Sequence, residues 1–276
     1  MINDGIKNII LATLFFGLIN ALVKFYSHIP SIQIVFFRSI VTLFLSFYVI
    51  KKENIKIFNK HSKLLFLRGF TGACALCLYF YTIQKMPLAT AVTILYLAPI
   101  FTVILAAFIN KEPPNKLQWP FIILGFIGAV FMKNFDPRAQ MIHFFMGVTA
   151  AFFAGLAYNI IRKLKGKAHH QLIIFYFPLI TIPMTLPFLY TQWVTPNLNE
   201  LFGLISIGIA TQIAQVFMTK AYLAEKASKI SHFNYLTCVY ALITGYLFFH
   251  EELNWMSLTG MLLILISVTF SSRFAN

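Results

Sequence analysis

The sequence predicts an all-α integral membrane protein with ten transmembrane helices, arranged as two inverted five-helix repeats. Of the 276 residues, 59% are hydrophobic and 31 are Phe, and the mean hydropathy is +0.78. This is more apolar surface than a soluble domain of this length can bury. The apolar residues also form continuous runs, whereas a membrane barrel requires an alternating pattern. The solvent of this fold is therefore a lipid bilayer.

A spanning helix needs about 20 apolar residues, and ten such segments fit the chain in order. In the first half they lie at residues 6–26, 31–50, 64–84, 88–109 and 117–133. In the second half they lie at residues 142–161, 171–191, 201–222, 228–249 and 255–272. The first segment lacks a small-residue cleavage site, so it is expected to be a retained span and not a signal peptide. Ten spans leave about 76 residues for loops and tails, too few for a soluble catalytic domain.

The second half repeats the first. A shift of 139 positions lays Glu112 on Glu251, and a shift of 138 lays Lys24 on Arg162. Two chains rich in Phe, Leu and Ile match somewhere by chance, so only the coincidences among Gly, Tyr, Gln and charged residues carry weight. We predict repeats at residues 1–137 and 138–276. Because each holds an odd number of spans, the second must be inverted, as in many secondary transporters.

Basic residues are distributed unequally between the two sides of the predicted membrane. Of the 22 Lys and Arg residues, 17 lie on the side that holds the N-terminus and 5 on the other. The positive-inside rule places both termini in the cytoplasm, and it accounts for the net charge of +14 without a nucleic-acid partner. Frequent Lys, Asn, Ile and Phe favour a bacterial cell, so the expected location is the bacterial cytoplasmic (inner) membrane.

Polar residues inside spans are costly and usually face a bundle interior or an aqueous path. Arg38 lies about eight residues into the second span, where it lines the path or braces helices. Lys24 and Arg162 end equivalent spans and are candidates for matched gates or interfacial anchors. The alternative for the neutral residues is hydrogen bonding between helices. The candidates for the substrate path are Asn20, Lys24, Arg38, Tyr158, Asn159, Gln212, Gln215, Asn234 and Tyr235.

All eight acidic residues fall in tails, loops or span ends, so no carboxylate marks a proton relay in the middle of the membrane. This pattern favours a uniporter or an exchanger, or else coupling through Tyr, backbone carbonyls or a sodium site that the sequence does not reveal. It also favours an anionic or zwitterionic solute, which would compensate Arg38 and Lys24. The three cysteines lie within spans without a nearby His or carboxylate, so they are expected to be apolar fillers and not metal ligands. No cofactor or metal is expected.

Prolines and glycines predict the mechanical features of the spans. Pro99 in the fourth span and Pro183 in the seventh are predicted to kink their helices, because proline removes a backbone hydrogen bond. Pro178 and Pro187 flank Pro183 and should add to the bend. Glycines within spans allow close helix approach; those at one-turn spacing are Gly69 with Gly72 and Gly125 with Gly128.

The end of each predicted repeat resembles a known family. Residues 81–83, Pro99 and Glu112, followed by Gly125, form one copy of the pattern; the second runs from Ala221 and Tyr222 through Tyr235 to Glu251 and Gly260. The whole chain resembles the drug/metabolite transporter superfamily, in particular its EamA-domain members. The resemblance implies alternating access of a small organic solute to a central cavity. Family members carry amino acids, drugs, nucleosides, vitamins and S-adenosylmethionine.

Two other function classes stay open at this point. An integral-membrane enzyme acting on lipid or isoprenoid substrates would need acidic or His clusters at the interface, and the only paired acids are Glu251 and Glu252 in a tight loop. A non-transporting assembly subunit would need a sizeable interaction segment, and both tails are short. The expected partners are a small-molecule solute and the lipid bilayer, and the expected state is a monomer or homodimer.

Overall fold

The computed structural model describes residues 4–58, 60–111, 113, 115–135, 140–225, 231–251 and 255–274. Within these ranges all regular secondary structure is helical, and there is no β-strand. The helices are α1 (Asp4–Phe25), α2 (Ser31–Lys52), α3 (Ser62–Lys85), α4 (Leu88–Leu95), α5 (Leu97–Ile109), α6 (Trp119–Phe135), α7 (Met141–Lys163), α8 (His170–Gln192), α9 (Leu198–Ala224), α10 (Tyr235–Phe249) and α11 (Trp255–Arg273). Short 3-10 turns at Lys116–Gln118 and Ser231–Asn234 precede α6 and α10.

Each predicted span corresponds to a helix, and the fourth consists of α4 and α5 together. Seven segments of the described chain are long and apolar enough to cross a bilayer, and three shorter apolar helices account for the fifth, ninth and tenth spans. Large apolar side chains such as Phe44 and Phe248 point outward, about 70% exposed. An outward apolar surface fits a lipid environment. The predicted all-α membrane fold is confirmed.

The contacts between helices are symmetric under exchange of the two halves. Helix α1 packs against α9, and its repeat equivalent α7 packs against α3. Likewise α2 packs against α9 as α8 packs against α3, and α1 against α10 as α7 against α5. The pairs α2 with α8 and α6 with α11 are their own equivalents. This pattern is what two inverted repeats around a two-fold axis produce. The predicted boundary between residues 137 and 138 lies outside the described residues.

The fourth span is interrupted at Tyr96, which ends α4 and begins α5. Pro99 lies in the first turn of α5, and because it has no N–H, the carbonyl oxygen of Leu95 at the end of α4 receives no helical hydrogen bond from residue 99. The break therefore precedes the proline by three residues. In the seventh span, α8 runs continuously with Pro178, Pro183 and Pro187 inside it. The two kinks at Pro99 and Pro183 remain predictions about helix direction.

Buried apolar side chains form two clusters. The larger joins both halves through the centre of the bundle and includes Ile19, Phe80 and Leu97. The smaller lies at the end of the bundle that holds the N-terminus, where Ile9 and Tyr222 are at most 2% exposed. Six spans contribute to this smaller cluster, three from each half. It therefore packs the two halves together on the N-terminal side of the bundle.

Helices α6 and α11 pack closely through glycines at the outer edge of the bundle. A Cβ added at Gly128 would lie 2.7 Å from the backbone oxygen of Gly260 and 2.9 Å from Leu263 Cβ. Ser267 donates a hydrogen bond to the carbonyl oxygen of Phe121 on the facing helix. Without a hydrophobic driving force between helices in lipid, such close contact is what holds this pair together.

We expect Gly128→Leu to reduce the folded fraction of the protein several-fold, because the facing atom is backbone and cannot move without separating the helices. The measurement is the monodisperse fraction after extraction in detergent. Ile127→Ala is the matched control, since Ile127 is the neighbouring residue and is 44% exposed. A folded fraction of Gly128→Leu equal to that of the control would show that the glycine contact does not hold the pair.

Candidate functional site

A cavity of about 150 Å³ lies between the two halves. Every span except the fifth and the tenth contributes to its wall. Aliphatic and aromatic side chains cover most of this wall. The polar and aromatic residues that matter below are Asn20, Arg38, Arg68, Tyr79, Phe80, Tyr96, Tyr158, Phe177, Gln215 and Asn234. An apolar cavity with a few convergent polar groups is the usual form of a small-molecule site.

Two arginines are buried at the wall of this cavity. Arg38 on α2 is 3% exposed and Arg68 on α3 is 2% exposed. Their guanidinium carbons lie 5.4 and 4.6 Å from the ring centroid of Phe177 on α8, and Arg38 also lies 5.5 Å from the Phe80 ring. The π faces of these rings attract the two cations, by about 2 kcal/mol or more where water is excluded. The first half therefore provides both charges, and the second half provides the ring that joins them.

Neither arginine charge meets a compensating anion among the residues that the structure describes. Arg68 Nη2 donates to Gln215 Oε1 at 3.4 Å, but its Nε and Nη1 atoms and the Nε of Arg38 have no acceptor. Among the described residues, no carboxylate forms an ion pair with either side chain. Buried unpaired charges with free N–H donors are strongly unfavourable. The cavity wall therefore carries two positive charges with N–H donors that no described residue accepts.

Gly72 makes the space that Arg68 occupies. A Cβ at this position would lie 2.5 Å from Arg68 Nη1 and 3.1 Å from the Phe177 ring. Any larger residue would thus push the guanidinium away from the ring and the cavity. The glycine one turn earlier, Gly69, faces α8 instead, where a Cβ would lie 2.6 Å from the backbone oxygen of Tyr176. Of this one-turn glycine pair, one serves the site and the other serves helix packing.

Neutral polar groups line the rest of the cavity. The Tyr79 hydroxyl and the Asn20 amide both line the cavity wall, and the Tyr96 hydroxyl donates to the backbone oxygen of Asn234. The Tyr158 ring stacks on Tyr222, with centroids 4.7 Å apart. These residues belong to both halves. They offer amide and hydroxyl groups that can bind the neutral polar parts of a solute.

The structure brings part of the predicted substrate path together. Asn20, Arg38, Tyr158, Gln215 and Asn234 all line the cavity, as does Pro99. Gln212 is buried next to it, and its Oε1 atom has no hydrogen-bond partner. Tyr235 begins α10, but its side chain lies outside the described residues. The remaining two candidates, Asn159 and Lys24, lie outside the cavity wall.

Asn159 lies on α7 and links this helix, the sixth span, to the fourth span. Its Nδ2 donates to the carbonyl oxygens of Thr102 and Gly155 at 2.9 and 3.0 Å, and its Oδ1 accepts from Asn110 Nδ2 at 2.7 Å. The side chain is 2% exposed. This arrangement ties α5 to α7 on the N-terminal side of the cavity.

We expect Asn159→Ala to reduce the folded fraction, because each interhelical bond contributes about 0.6 to 2 kcal/mol and the amide of Asn110 would lose its acceptor. The measurement is the midpoint of thermal unfolding in detergent. Asn20→Ala is the comparison, since Asn20 is equally buried but lines the cavity; it should reduce transport more than stability. A stable Asn159→Ala protein with lost transport would place Asn159 on the path instead.

Lys24 makes polar contacts on the far side of the bundle, opposite the N-terminus. Its Nζ lies 3.3 Å from Glu251 Oε1 and donates to the carbonyl oxygen of Met86 at 2.6 Å. Both oxygens of Glu251 accept from the Leu88 backbone N–H, at 2.9 and 2.8 Å. His250 has a positive φ of 49°, which turns the chain at the end of α10. The first, fourth and ninth spans therefore meet in one polar cluster, which we call the Lys24 latch.

Two further contacts tie the halves together on the same side. His28 Nε2 lies 2.8 Å from Glu200 Oε1. Gln33 donates to the carbonyl oxygen of Val194 at 2.6 Å and accepts from its N–H at 3.0 Å. With the Lys24 latch, these contacts join the two halves on the far side of the bundle.

The sequence candidates did not include five residues of the site: Arg68, Tyr79, Phe80, Tyr96 and Phe177. Arg68 lies near the start of its span, so it was counted with the basic residues of the N-terminal side. Its neighbours Gly69 and Gly72 were the available signal, because space on the helix face allows a long side chain to turn inward. A Phe that touches two arginines has no sequence signature in a chain with 31 of them. Within the described ranges, no cluster of three or more His, Cys, Asp or Glu residues could hold a metal.

Known proteins share the fold and the sequence pattern of this chain. A solved crystal structure superposes with a TM-score of 0.71 at 14% identity, over 98% of this chain and 97% of the other, which shows the fold alone. The pseudopaline exporter of Pseudomonas aeruginosa is 29% identical over 99% of this chain and 97% of its own length. An uncharacterized transporter of Helicobacter pylori is 31% identical, over 95% and 92%.

A more distant relative is an S-adenosylmethionine uptake transporter of Rickettsia prowazekii, which is 27% identical over 74% of this chain and 69% of its own length. The profile of the EamA-like transporter family matches residues 4–133 and again residues 141–273. The two matches cover the two halves that the contact pattern relates. The chain therefore belongs to the EamA-like transporter family, and it is a multi-pass membrane transporter and not an enzyme.

Proposed function

We propose that this protein is a secondary transporter that carries a small anionic or zwitterionic organic metabolite by alternating access to the central cavity. The observation that carries the proposal is the pair of buried arginines without a compensating anion, Arg38 and Arg68. A solute carboxylate would supply the missing charge and the missing hydrogen-bond acceptors. A cationic solute would add to the uncompensated charge.

The contacts between the two halves on the far side support a transport cycle. The Lys24 latch and its neighbours join elements of different halves, so relative movement of the halves must break them. We propose the latch as one gate, with the region of Arg162 as its inverted counterpart near the other side. Both termini, in this proposal, are cytoplasmic, and the latch faces the outside of a bacterial cytoplasmic membrane.

The cavity walls come from both halves, so one chain is enough to form the path. We therefore propose the monomer as the transport unit, alone or within a homodimer. We also propose residues 1–137 and 138–276 as the two moving units. The relatives named for pseudopaline export and S-adenosylmethionine uptake support an organic metabolite as the solute, and they name opposite directions. We therefore propose a class of solute and no direction of transport.

Solute exchange in proteoliposomes tests the proposal. Vesicles with purified protein receive a labelled extract of bacterial metabolites, with and without proton or sodium gradients, and mass spectrometry identifies the compounds that enter. We expect protein-dependent entry of carboxylate-bearing compounds, and any gradient dependence reveals the coupling. Entry of cationic or uncharged compounds alone would contradict the proposal.

A further inference from the structure

We infer that the cavity recognises a metabolite with two carboxylate groups, one bound at each arginine. The inference rests on the proposed transport function and specifies its substrate class. Arg38 and Arg68 each keep free N–H donors, on α2 and α3 respectively. Both contact the same Phe177 ring, so the two donor sets lie within the length of one small molecule.

Two anionic groups on the solute would balance the two arginine charges at the cavity. One guanidinium fork matches the two oxygens of one carboxylate. A solute with a single carboxylate would satisfy one arginine and leave the other buried with its charge unpaired, which is the costly state. A dicarboxylate neutralises both, and none of the described cavity residues carries a negative charge that could do so. The bound state is then electrically neutral within the membrane.

The site at Arg68 is the more completely built of the two. Gln215 accepts one of its N–H groups, which orients the guanidinium, and Phe177 lies 4.6 Å from its carbon. The absence of a side chain at Gly72 lets Nη1 lie beside the Phe177 ring. The Nε and Nη1 donors thus remain for the solute. At Arg38 two aromatic rings hold the guanidinium, and no described residue accepts from its Nε.

Matched probes test the inference on the purified full-length protein. The probes are the unbranched dicarboxylates with four to seven carbons, each compared with its own monoamide, which has the same skeleton and one charge fewer. Binding is measured by the concentration that gives half-maximal thermal stabilisation. We expect one chain length to bind at least tenfold more tightly than its monoamide.

Variants assign the two carboxylates to the two arginines. Arg68→Gln and Arg38→Gln should each weaken binding of the dicarboxylate at least tenfold and leave the monoamide within about threefold, so the preference disappears. Gly72→Ala keeps the charge but displaces Arg68 from the ring, and it should reproduce Arg68→Gln; it also replaces that variant if the latter does not fold. Lys163→Gln, on the exposed end of α7, controls for the general loss of a positive charge.

The outcomes separate this inference from the proposed function. Equal affinity of the dicarboxylates and monoamides in the unchanged protein would show a site for one carboxylate, which overturns the inference and leaves the proposed transport of an anion standing. Failure of all probes to bind at millimolar concentration would also overturn the inference. Entry of only cationic or uncharged compounds in the proteoliposome experiment would remove the proposed function as well.

Discussion

Replacing Arg38 and Arg68 together by Gln is expected to lower transport by a factor of about 100 or more while the folded protein becomes as stable or more stable. A hydrogen bond to a charged group contributes about 1.5 to 3 kcal/mol, and 1.4 kcal/mol is a factor of ten. The double variant removes two such interactions with the solute. It also removes two buried charges that have no anionic partner in the described protein, and their removal relieves a desolvation cost.

The opposite signs of the two effects make the result decisive. Transport is measured in proteoliposomes at equal protein content, and stability as the midpoint of thermal unfolding in detergent without solute. If the arginines instead brace the helices, the double variant should lose stability and transport together. The loss of contact with Phe177 works against stabilisation, so Arg38→Lys with Arg68→Lys is a useful comparison that keeps the charges.

Replacing Glu251 by Gln is expected to open the far side of the cavity. The change removes the charge that Lys24 meets at 3.3 Å and weakens the acceptor of the Leu88 N–H. Both side chains are mostly buried, at 17% and 12% exposed for Lys24 and Glu251. A partly buried charged contact of about 1.5 to 3 kcal/mol corresponds to a shift of roughly 10-fold to 100-fold between closed and open conformations.

Labelling of a single cysteine measures this shift. Ala75 lines the cavity, so an Ala75→Cys protein without its native cysteines can be treated with a membrane-impermeant maleimide from the far side. We expect the labelling rate to rise at least tenfold with Glu251→Gln. Glu53→Gln is the control, because Glu53 is a half-exposed acid on the other side, 3.8 Å from His169. Labelling that stays as slow as in the control would mean that the Lys24 latch does not hold the gate.

The fold could be predicted almost entirely from the sequence, because lipid requires long continuous apolar helices and leaves few alternatives. The boundaries of α2 and α8 differ from the predicted spans by only a residue or two. The sequence predicts a kink from Pro99, and the structure interrupts the fourth span at Tyr96, in the turn before this proline. Tyr96 has its own tertiary reason for its position: its hydroxyl donates to the backbone of Asn234 in the other half.

The site was predictable only in part. Polar residues within spans could be listed, and Asn20, Arg38 and Gln215 do line the cavity. Sequence could not separate them from Asn159, whose identical chemistry serves α5 and α7 as a connection. Which face a buried amide presents depends on its neighbours in space. Arg68 was missed for the complementary reason, because its position near the span end hid the inward direction of its side chain.

The interruption at Tyr96 means that the fourth span is not one mechanical body. The first segment, α4, packs against both α10 and α7, whereas the second, α5, packs against α7 and is tied to it through Asn159. Because no helical hydrogen bond needs to break at an existing interruption, the two segments can change their relative angle at little cost. The fourth span can therefore bend at Tyr96, between α4, which contacts the ninth span as well as the sixth, and α5, which is tied to the sixth.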